Sequence, residues 1–159
     1  MVVIRGTQKL LRRVGPGAPV ASPSTTRLGD WVGNLVGVRH QRIVLFISEH
    51  SRLPVVLPAR DLRNVAHQLP LAMGAVLEAL GISHVAIRDE QRAMAESMIA
   101  PTNNRSLLGT LTDLSHSLKW RLAEEPDVNL VTLALWLSET PVGPMNYQTP
   151  DQVTRHLVK

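Results

Sequence analysis

The hydrophobic pattern of this chain changes near residue 60, and that change most constrains its fold. Before it, short β-branched runs between turn residues predict strands at Val2–Ile4, Trp31–Val38, Ile43–Ser48 and Leu53–Leu57. After it, apolar residues recur every three or four positions, which is typical of helices with one buried face. The tight turns between the last three strands predict an antiparallel meander. We therefore expect an α+β fold, in which a small N-terminal antiparallel β-sheet packs against several α-helices.

Apolar stripes and capping residues predict where the helices lie. Pro70 is expected to kink or split the longest stripe, Gly81 to end it, and Ser83 to cap the helix that follows. Thr149 and Gln152 form a capping box before the last helix. The predicted helices span residues 9–14, 62–80, 83–97, 106–124, 130–137 and 151–157. An extended segment at 98–102 is expected to close the sheet.

Length and composition place these elements in a single domain, residues 1–159. A chain of 159 residues buries a core without disulfides or metals, and the absence of Cys excludes both disulfides and thiolate chemistry. The longest purely apolar runs, Ile43–Ile47 and Leu133–Leu137, are far shorter than the roughly 20 residues of a membrane helix. We expect a cytoplasmic protein with no membrane association. Gly, Pro and Ser cluster at residues 15–27 and predict a flexible loop there.

Charge is distributed unevenly along the chain. Residues 1–67 contain ten cationic and three acidic residues, whereas residues 68–159 contain seven and ten. Such a split indicates a polyanionic partner or two surfaces that meet in a homo-oligomer, although basic loops can also serve solubility alone. The expected partner is nucleic acid or an acidic protein. The expected basic surface consists of Arg12, Arg13, Arg39 and Arg42.

The segment from Thr102 to Gly109 has the strongest features of a binding site. A helix begins there, and its free backbone N–H groups and dipole attract anions. Asn104, Arg105 and Ser106 add side-chain donors, and Gly109 permits close approach of a ligand or backbone. Ordinary helix capping, with Arg105 paired to an acid, is the alternative interpretation. We expect an anion site at this helix start.

A second group of candidate residues precedes and opens the Trp31 strand. The carboxylate of Asp30 is expected either to reach residues 104–106 or to form a structural ion pair. Trp31 is expected to pack rather than to stack on a ligand, and Asn34 to hold a turn or to face a cleft. The six His residues show no metal-ligand spacing, and no nucleotide-binding glycine loop occurs. We expect no metal and no cofactor.

Two motifs carry a resemblance to a known family. They are L-G-D-W-x-x-N-L at Leu28–Leu35 and T-N-N-R-S-L-L-G-x-L-x-D at Thr102–Asp113, with smaller matches at Lys9–Leu11, Val55–Pro58 and Glu139–Tyr147. Together they resemble an uncharacterised bacterial family, a domain of unknown function, over nearly the entire chain. The resemblance implies a stand-alone bacterial domain and supports the position of the site. It implies no reaction and no ligand.

Three functions follow as hypotheses, and whether the protein is an enzyme stays open among them. The first is a small bacterial accessory protein that binds nucleic-acid backbone through its basic N-terminal half, anchored at residues 104–106. The second is a protein-interaction module of a toxin–antitoxin-like or phage-linked pair, with an apolar patch around Val131, Leu135 and Trp136. The third is an enzyme on a phosphorylated or carboxylated small molecule, using Asp30 and Arg105.

Overall fold

The computed structural model describes residues 1–20 and 22–159 of the chain and has α+β architecture. Its five strands are β1 Val2–Gly6, β2 Trp31–Val38, β3 Gln41–Ser48, β4 Pro54–Pro58 and β5 Ser97–Pro101. Its α-helices are α1 Gln8–Val14, α2 Val65–Ala79, α3 His84–Ala93, α4 Arg105–Glu124, α5 Leu130–Ser138 and α6 Pro150–Leu157. Short 3-10 turns lie at Leu62–Asn64 and Gly143–Met145. The expected fold class is confirmed.

The five strands form one mixed sheet in the order β4-β3-β2-β1-β5. Strands β2, β3 and β4 form the expected antiparallel meander. The sheet as a whole is mixed and extends beyond the expected antiparallel meander, because β1 pairs in parallel with both β2 and β5. Helices intervene between β1 and each of these partners in sequence, and such crossovers return the chain to the starting end of the sheet. Only the meander, with its tight turns, runs antiparallel.

The helix predictions hold with two differences, one inside α2 and one at the end of α3. Pro70 lies inside α2, which continues unbroken from Val65 to Ala79, so the proline does not split the helix. Gly81 follows α2 with φ +84°, a left-handed conformation that glycine adopts without strain. The Ser83 hydroxyl caps α3 by accepting from the Ala86 N–H, but α3 ends at Ala93 and not near residue 97. The capping box before α6 is present.

One hydrophobic core joins the sheet to its helices. Trp31 and Phe46 are fully buried within it, as are Leu69, Met73 and Leu118 from the covering helices. Helix α4 packs against β2 and β3, and helices α2 and α5 pack against β4. No helix in residues 1–20 and 22–159 is both long enough and apolar enough to cross a membrane.

Strands β2 and β3 extend beyond both of their neighbours. Strand β1 pairs only with Trp31–Gly33, at the start of β2. On the other side, β4 ends opposite Ile43. Residues Gly37–Arg42 are therefore a two-stranded ribbon with a tight turn at its tip, and the Ala59 N–H after β4 bonds the base of the ribbon at the Arg42 carbonyl. This ribbon places the residues of the β2–β3 turn at one extreme end of the sheet.

The segment at residues 15–27 has no helix or strand in its described part and lies beside β1 and β5. The Ala18 N–H donates to the Ile99 carbonyl at 2.9 Å. The Val3 N–H donates to the Ser24 hydroxyl, also at 2.9 Å. The segment is thus tied to both strands at these points. Its flexibility, and the single domain over residues 1–159, stay predictions.

Candidate functional site

The Asp30 carboxylate contacts Arg5 and Ser24. Its Oδ2 accepts from Arg5 Nε at 2.6 Å, and its Oδ1 accepts from the Ser24 hydroxyl at 2.6 Å. Arg5 Nη1 also donates to the Pro101 carbonyl at 3.0 Å. The side chains of Arg5 and Asp30 are only 11% and 13% exposed. This arrangement matches a structural ion pair that ties β1 to the start of β2, and its cation is Arg5, which sequence reasoning did not single out.

Trp31 and Asn34 both serve the interior of the fold. The indole of Trp31 is fully buried, as expected for a packing residue. The Asn34 Oδ1 accepts from the Thr7 hydroxyl at 2.8 Å, and Thr7 is the N-cap of α1. Asn34 therefore helps to hold the start of α1 against β2.

The start of α4 is capped by Asn104 and contacts the β3–β4 turn through Ser106. The Asn104 Oδ1 accepts from the Leu107 N–H at 3.1 Å, and the Ser106 hydroxyl accepts from Arg52 Nη2 at 3.2 Å. Arg105 is exposed, and its side chain makes no hydrogen bond or ion pair within the described residues. Gly109 is also exposed, and a Cβ added there would meet no atom within 4 Å. Its neighbourhood within the chain is therefore open.

Arg52 links the β3–β4 turn to α4. It adopts the left-handed conformation with φ +60°, and Nη1 of its guanidinium donates to the Glu49 carbonyl. Burial lowers the pKa of Arg52, and the neighbouring Glu49 carboxylate opposes that shift. Sequence reasoning missed Arg52, because its contact with Ser106 joins residues 54 positions apart.

Three arginines line one cleft between the end of α1 and the turn at Leu62–Asn64. The cleft has a volume of about 800 Å³, and its cationic residues are Arg12, Arg13 and Arg63. Arg12 and Arg13 lie in the last turn of α1, where cations also interact favourably with the helix dipole. Arg63 was not among the expected surface residues. Only the packing of the Leu62–Asn64 turn against α1 brings it to the other two.

Backbone and side-chain contacts connect this cleft to the tip of the β2–β3 ribbon. Arg13 Nη2 donates to the Ala59 carbonyl at 3.4 Å, and the Ala59 N–H donates to the Arg42 carbonyl at 3.1 Å. We refer to the resulting surface as the basic end. It consists of Arg12, Arg13, Arg39, Arg42 and Arg63. All five are exposed, and none forms an ion pair within residues 1–20 and 22–159.

The start of α4 and the basic end lie at opposite ends of β3. Ser106 contacts Arg52 in the β3–β4 turn, whereas Arg39 and Arg42 flank the β2–β3 turn. Strand β3 has eight residues and so spans about 26 Å. The fold thus separates residues 104–106 from the arginines that sequence reasoning had joined with them in one surface.

A pair of tryptophans marks a different surface, between α4 and α5. Trp120 is 60% exposed and stacks on Trp136, with ring centroids 6.3 Å apart. The Arg121 guanidinium lies over the Trp136 ring at 5.3 Å. Val131 and Leu135, the other members of the expected apolar patch, are partly buried against the core. Trp120 is the most exposed part of this surface and was not among the predicted residues.

Comparison with known proteins gives one match. A family model described as Domain of unknown function (DUF6933) covers residues 3–153. No curated protein and no solved structure matches the chain. The match confirms the expected relation to an uncharacterised domain family. In the described part of the chain, no three His, Asp or Glu residues are grouped as metal ligands would be.

Proposed function

The chain belongs to the DUF6933 family of domains of unknown function, and we propose that it binds the phosphate backbone of nucleic acid through the basic end. One observation carries the proposal. Five exposed arginines from three separate segments gather at one end of the sheet, and no carboxylate within the described residues pairs with any of them. The proposal places the protein in the cytoplasm, where nucleic acid is available.

The chemistry of the cleft suits phosphate. A guanidinium presents several N–H donors in a rigid fork that matches two phosphate oxygens, and it stays charged at physiological pH. The side chains of Arg12 and Arg63 make no hydrogen bond within the described residues, and that of Arg13 makes only the long one to Ala59. Because these donors are not used by the fold, they are available to a ligand. The nearest acid in sequence, Asp61, forms no ion pair with them.

The start of α4 is not part of the proposed surface. Asn104 and Ser106 are used in contacts within the chain, and β3 separates them from the basic end. Arg105 alone is free to bind an anion there. Its removal is therefore expected to change nucleic-acid affinity little, which makes an Arg105→Ala variant an internal control.

Salt-dependent fluorescence anisotropy with a labelled duplex tests the proposal. If five phosphates are contacted, affinity falls roughly 500-fold between about 50 and 200 mM salt. The Arg12→Ala/Arg63→Ala variant removes two phosphate contacts, so its affinity should fall only roughly 40-fold over the same salt range. Arg88→Ala, which removes an exposed and unpaired arginine on α3, is the matched control. Absence of binding at low salt, or equal affinity of the cleft variant and the Arg88 variant, contradicts the proposal.

A second candidate function is a protein-interaction module, and the exposure of Trp120 favours it. Tryptophans dominate the energetics of many protein interfaces, and an exposed one on a helix is available to a partner or to a second copy of the chain. Size-exclusion chromatography at two concentrations measures self-association directly. A concentration-dependent shift that Trp120→Ala abolishes supports this candidate, and a single monomeric peak contradicts its homo-oligomeric form.

No observation favours the enzyme hypothesis. It required Asp30, Asn34 and Arg105 to converge on one small molecule. Both carboxylate oxygens of Asp30 are bonded within the chain, and Asn34 holds Thr7. Two of the three residues it needs, Asp30 and Asn34, are therefore already used by the fold.

A further inference from the structure

We propose that the ligand of the basic end is B-form duplex DNA, and that the β2–β3 ribbon enters its major groove. The inference rests on the proposed function and names the class of nucleic acid. It stands on two observations, the exposed tip of the two-stranded ribbon and the position of every Trp, Tyr and Phe ring in the chain.

The ribbon has the dimensions of a groove-reading element. Beyond Arg42, whose carbonyl accepts from the Ala59 N–H, it is two strands wide, because β1 pairs only near the start of β2 and β4 ends opposite Ile43. A pair of strands spaced about 4.8 Å apart, with its side chains, fits the roughly 12 Å major groove of B-DNA. A Cβ at Gly37 would meet no atom within 4 Å. One face of the ribbon is therefore open at Gly37, whereas Val38 is partly buried and packs against the core.

The residues at the tip can contact base edges as well as phosphate. Arg39, His40, Gln41 and Arg42 are consecutive and exposed. Arginine binds guanine and glutamine binds adenine through paired hydrogen bonds in the major groove. The cleft that holds Arg12 and Arg63 lies beside the ribbon, where it would bind the flanking phosphates. Tip and cleft therefore have different roles in the proposed complex.

The positions of the aromatic rings argue against a single-stranded ligand. Proteins that bind single strands stack bases on exposed aromatic side chains, at about 1–3 kcal/mol per base. Trp31 and Phe46 are fully buried in the core. Trp120 and Trp136 lie between α4 and α5, and Tyr147 lies in the turn before α6. The basic end thus has no Trp, Tyr or Phe on which a base could stack.

Duplex RNA fits the ribbon poorly for a geometric reason. The major groove of A-form RNA is deep and too narrow for protein side chains to read. A ribbon held outside the groove would leave Arg39 and Arg42 with at most backbone contacts. Duplex DNA is therefore the form that uses both the tip and the cleft.

The experiment measures affinities for duplex DNA, duplex RNA and single-stranded DNA of one sequence, at about 150 mM salt. We expect duplex DNA to bind at least tenfold more tightly than either of the others. The tip variant Arg39→Ala/Arg42→Ala should lose that preference. The cleft variant Arg12→Ala/Arg63→Ala should weaken the binding of all three ligands and keep the preference. All four residues are exposed, so we expect both variants to fold. Melting curves that match that of the parent check this.

The outcomes separate the inference from the proposed function. Binding of single-stranded DNA or duplex RNA as tight as that of duplex DNA overturns the inference and leaves phosphate binding standing. A preference that survives in the tip variant overturns the role of the ribbon. Absence of binding to all three ligands, even at about 50 mM salt, overturns the proposed function itself. His40→Ala, which removes the only ring at the tip, should leave the preference unchanged, and a lost preference would indicate stacking instead.

Discussion

Arg5 and Asp30 form an ion pair of 2.6 Å that joins β1 to the residue before β2. The parallel register explains the pairing. Ile4 lies opposite Trp31, so Arg5, which follows Ile4, comes close to Asp30, which precedes Trp31. Sequence reasoning allowed Asp30 a structural ion pair or a contact with residues 104–106. The register of β1 and β2 makes Arg5 the cation that pairs with Asp30. No local sequence pattern reveals this, because the register depends on strand pairing.

Removal of the Arg5 charge should destabilise the fold. Arg5→Met leaves the Asp30 carboxylate in a mostly buried position without its cation, at a cost of about 3 kcal/mol. The double variant Arg5→Met/Asp30→Asn should regain part of that loss. Urea unfolding measures the free energy of unfolding of the parent, the single variant and the double variant. Arg92→Met, which breaks the exposed pair with Asp89, is the control and should lower the free energy of unfolding by less than about 1 kcal/mol. Equal losses of unfolding free energy in Arg5→Met and Arg92→Met would contradict the prediction.

Two glycines of β2 should respond oppositely to the same substitution. A Cβ at Gly33 would overlap the Phe46 ring and crowd Leu10 of α1, whereas a Cβ at Gly37 meets open space. Gly33→Ala should therefore destabilise the fold by about 1–3 kcal/mol through overpacking. Gly37→Ala should be close to neutral. Thermal melting of both variants checks the contrast, and similar melting temperatures would show that the core accommodates the extra methyl group.

Gly109→Ala should stabilise the protein. Gly109 is an exposed residue within α4, and its Cβ would meet nothing within 4 Å. Alanine is favoured over glycine in such a position by about 0.5–1 kcal/mol. Gly81→Ala, at φ +84°, should lose stability and serves as the contrast. Chemical unfolding gives both values, and a loss of stability in Gly109→Ala would indicate a contact with α4 that the fold does not show.

The stability of the protein should depend on the protonation of Glu90. Glu90 is 3% exposed, its Oε1 accepts from the Arg27 N–H at 2.9 Å, and its Oε2 has no partner within the described residues. Burial raises its pKa above the ordinary value of 4.5, although the backbone N–H groups of Arg27 and Leu28 and the charges of Arg27 and His50 oppose the shift. The folded state therefore binds this proton more tightly than the unfolded state. Stability from this group is present below pH 4.5 and is lost as pH rises through the folded pKa.

A Glu90→Gln variant isolates that contribution. Its free energy of unfolding should fall less steeply than that of the parent as pH rises from about 4.5 toward neutrality. Glu96→Gln, which removes an exposed carboxylate between α3 and β5, is the matched control. Urea unfolding at several pH values gives the slopes. Parallel curves for the parent and Glu90→Gln would show that Glu90 has the same pKa in the folded and unfolded states.

Local chemistry allowed much of the fold to be predicted. The Ser83 cap, the left-handed Gly81 and the capping box of α6 act within four residues, so their signals stand in the sequence itself. The turns of the β2–β4 meander are equally local. At the candidate site, the capping role of Asn104 and the packing of Trp31 were foreseeable for the same reason.

The sequence by itself determined the secondary structure, the meander, the α+β class and the excess of arginine in the first 67 residues. Only the tertiary structure decided that β1 pairs in parallel with β2 and β5 and that Arg63 joins Arg12 in one cleft. It also decided that residues 104–106 lie away from the basic end. Capping and turn formation depend on neighbours along the chain, whereas strand order and charge clustering depend on how distant segments bury their apolar faces in a shared core.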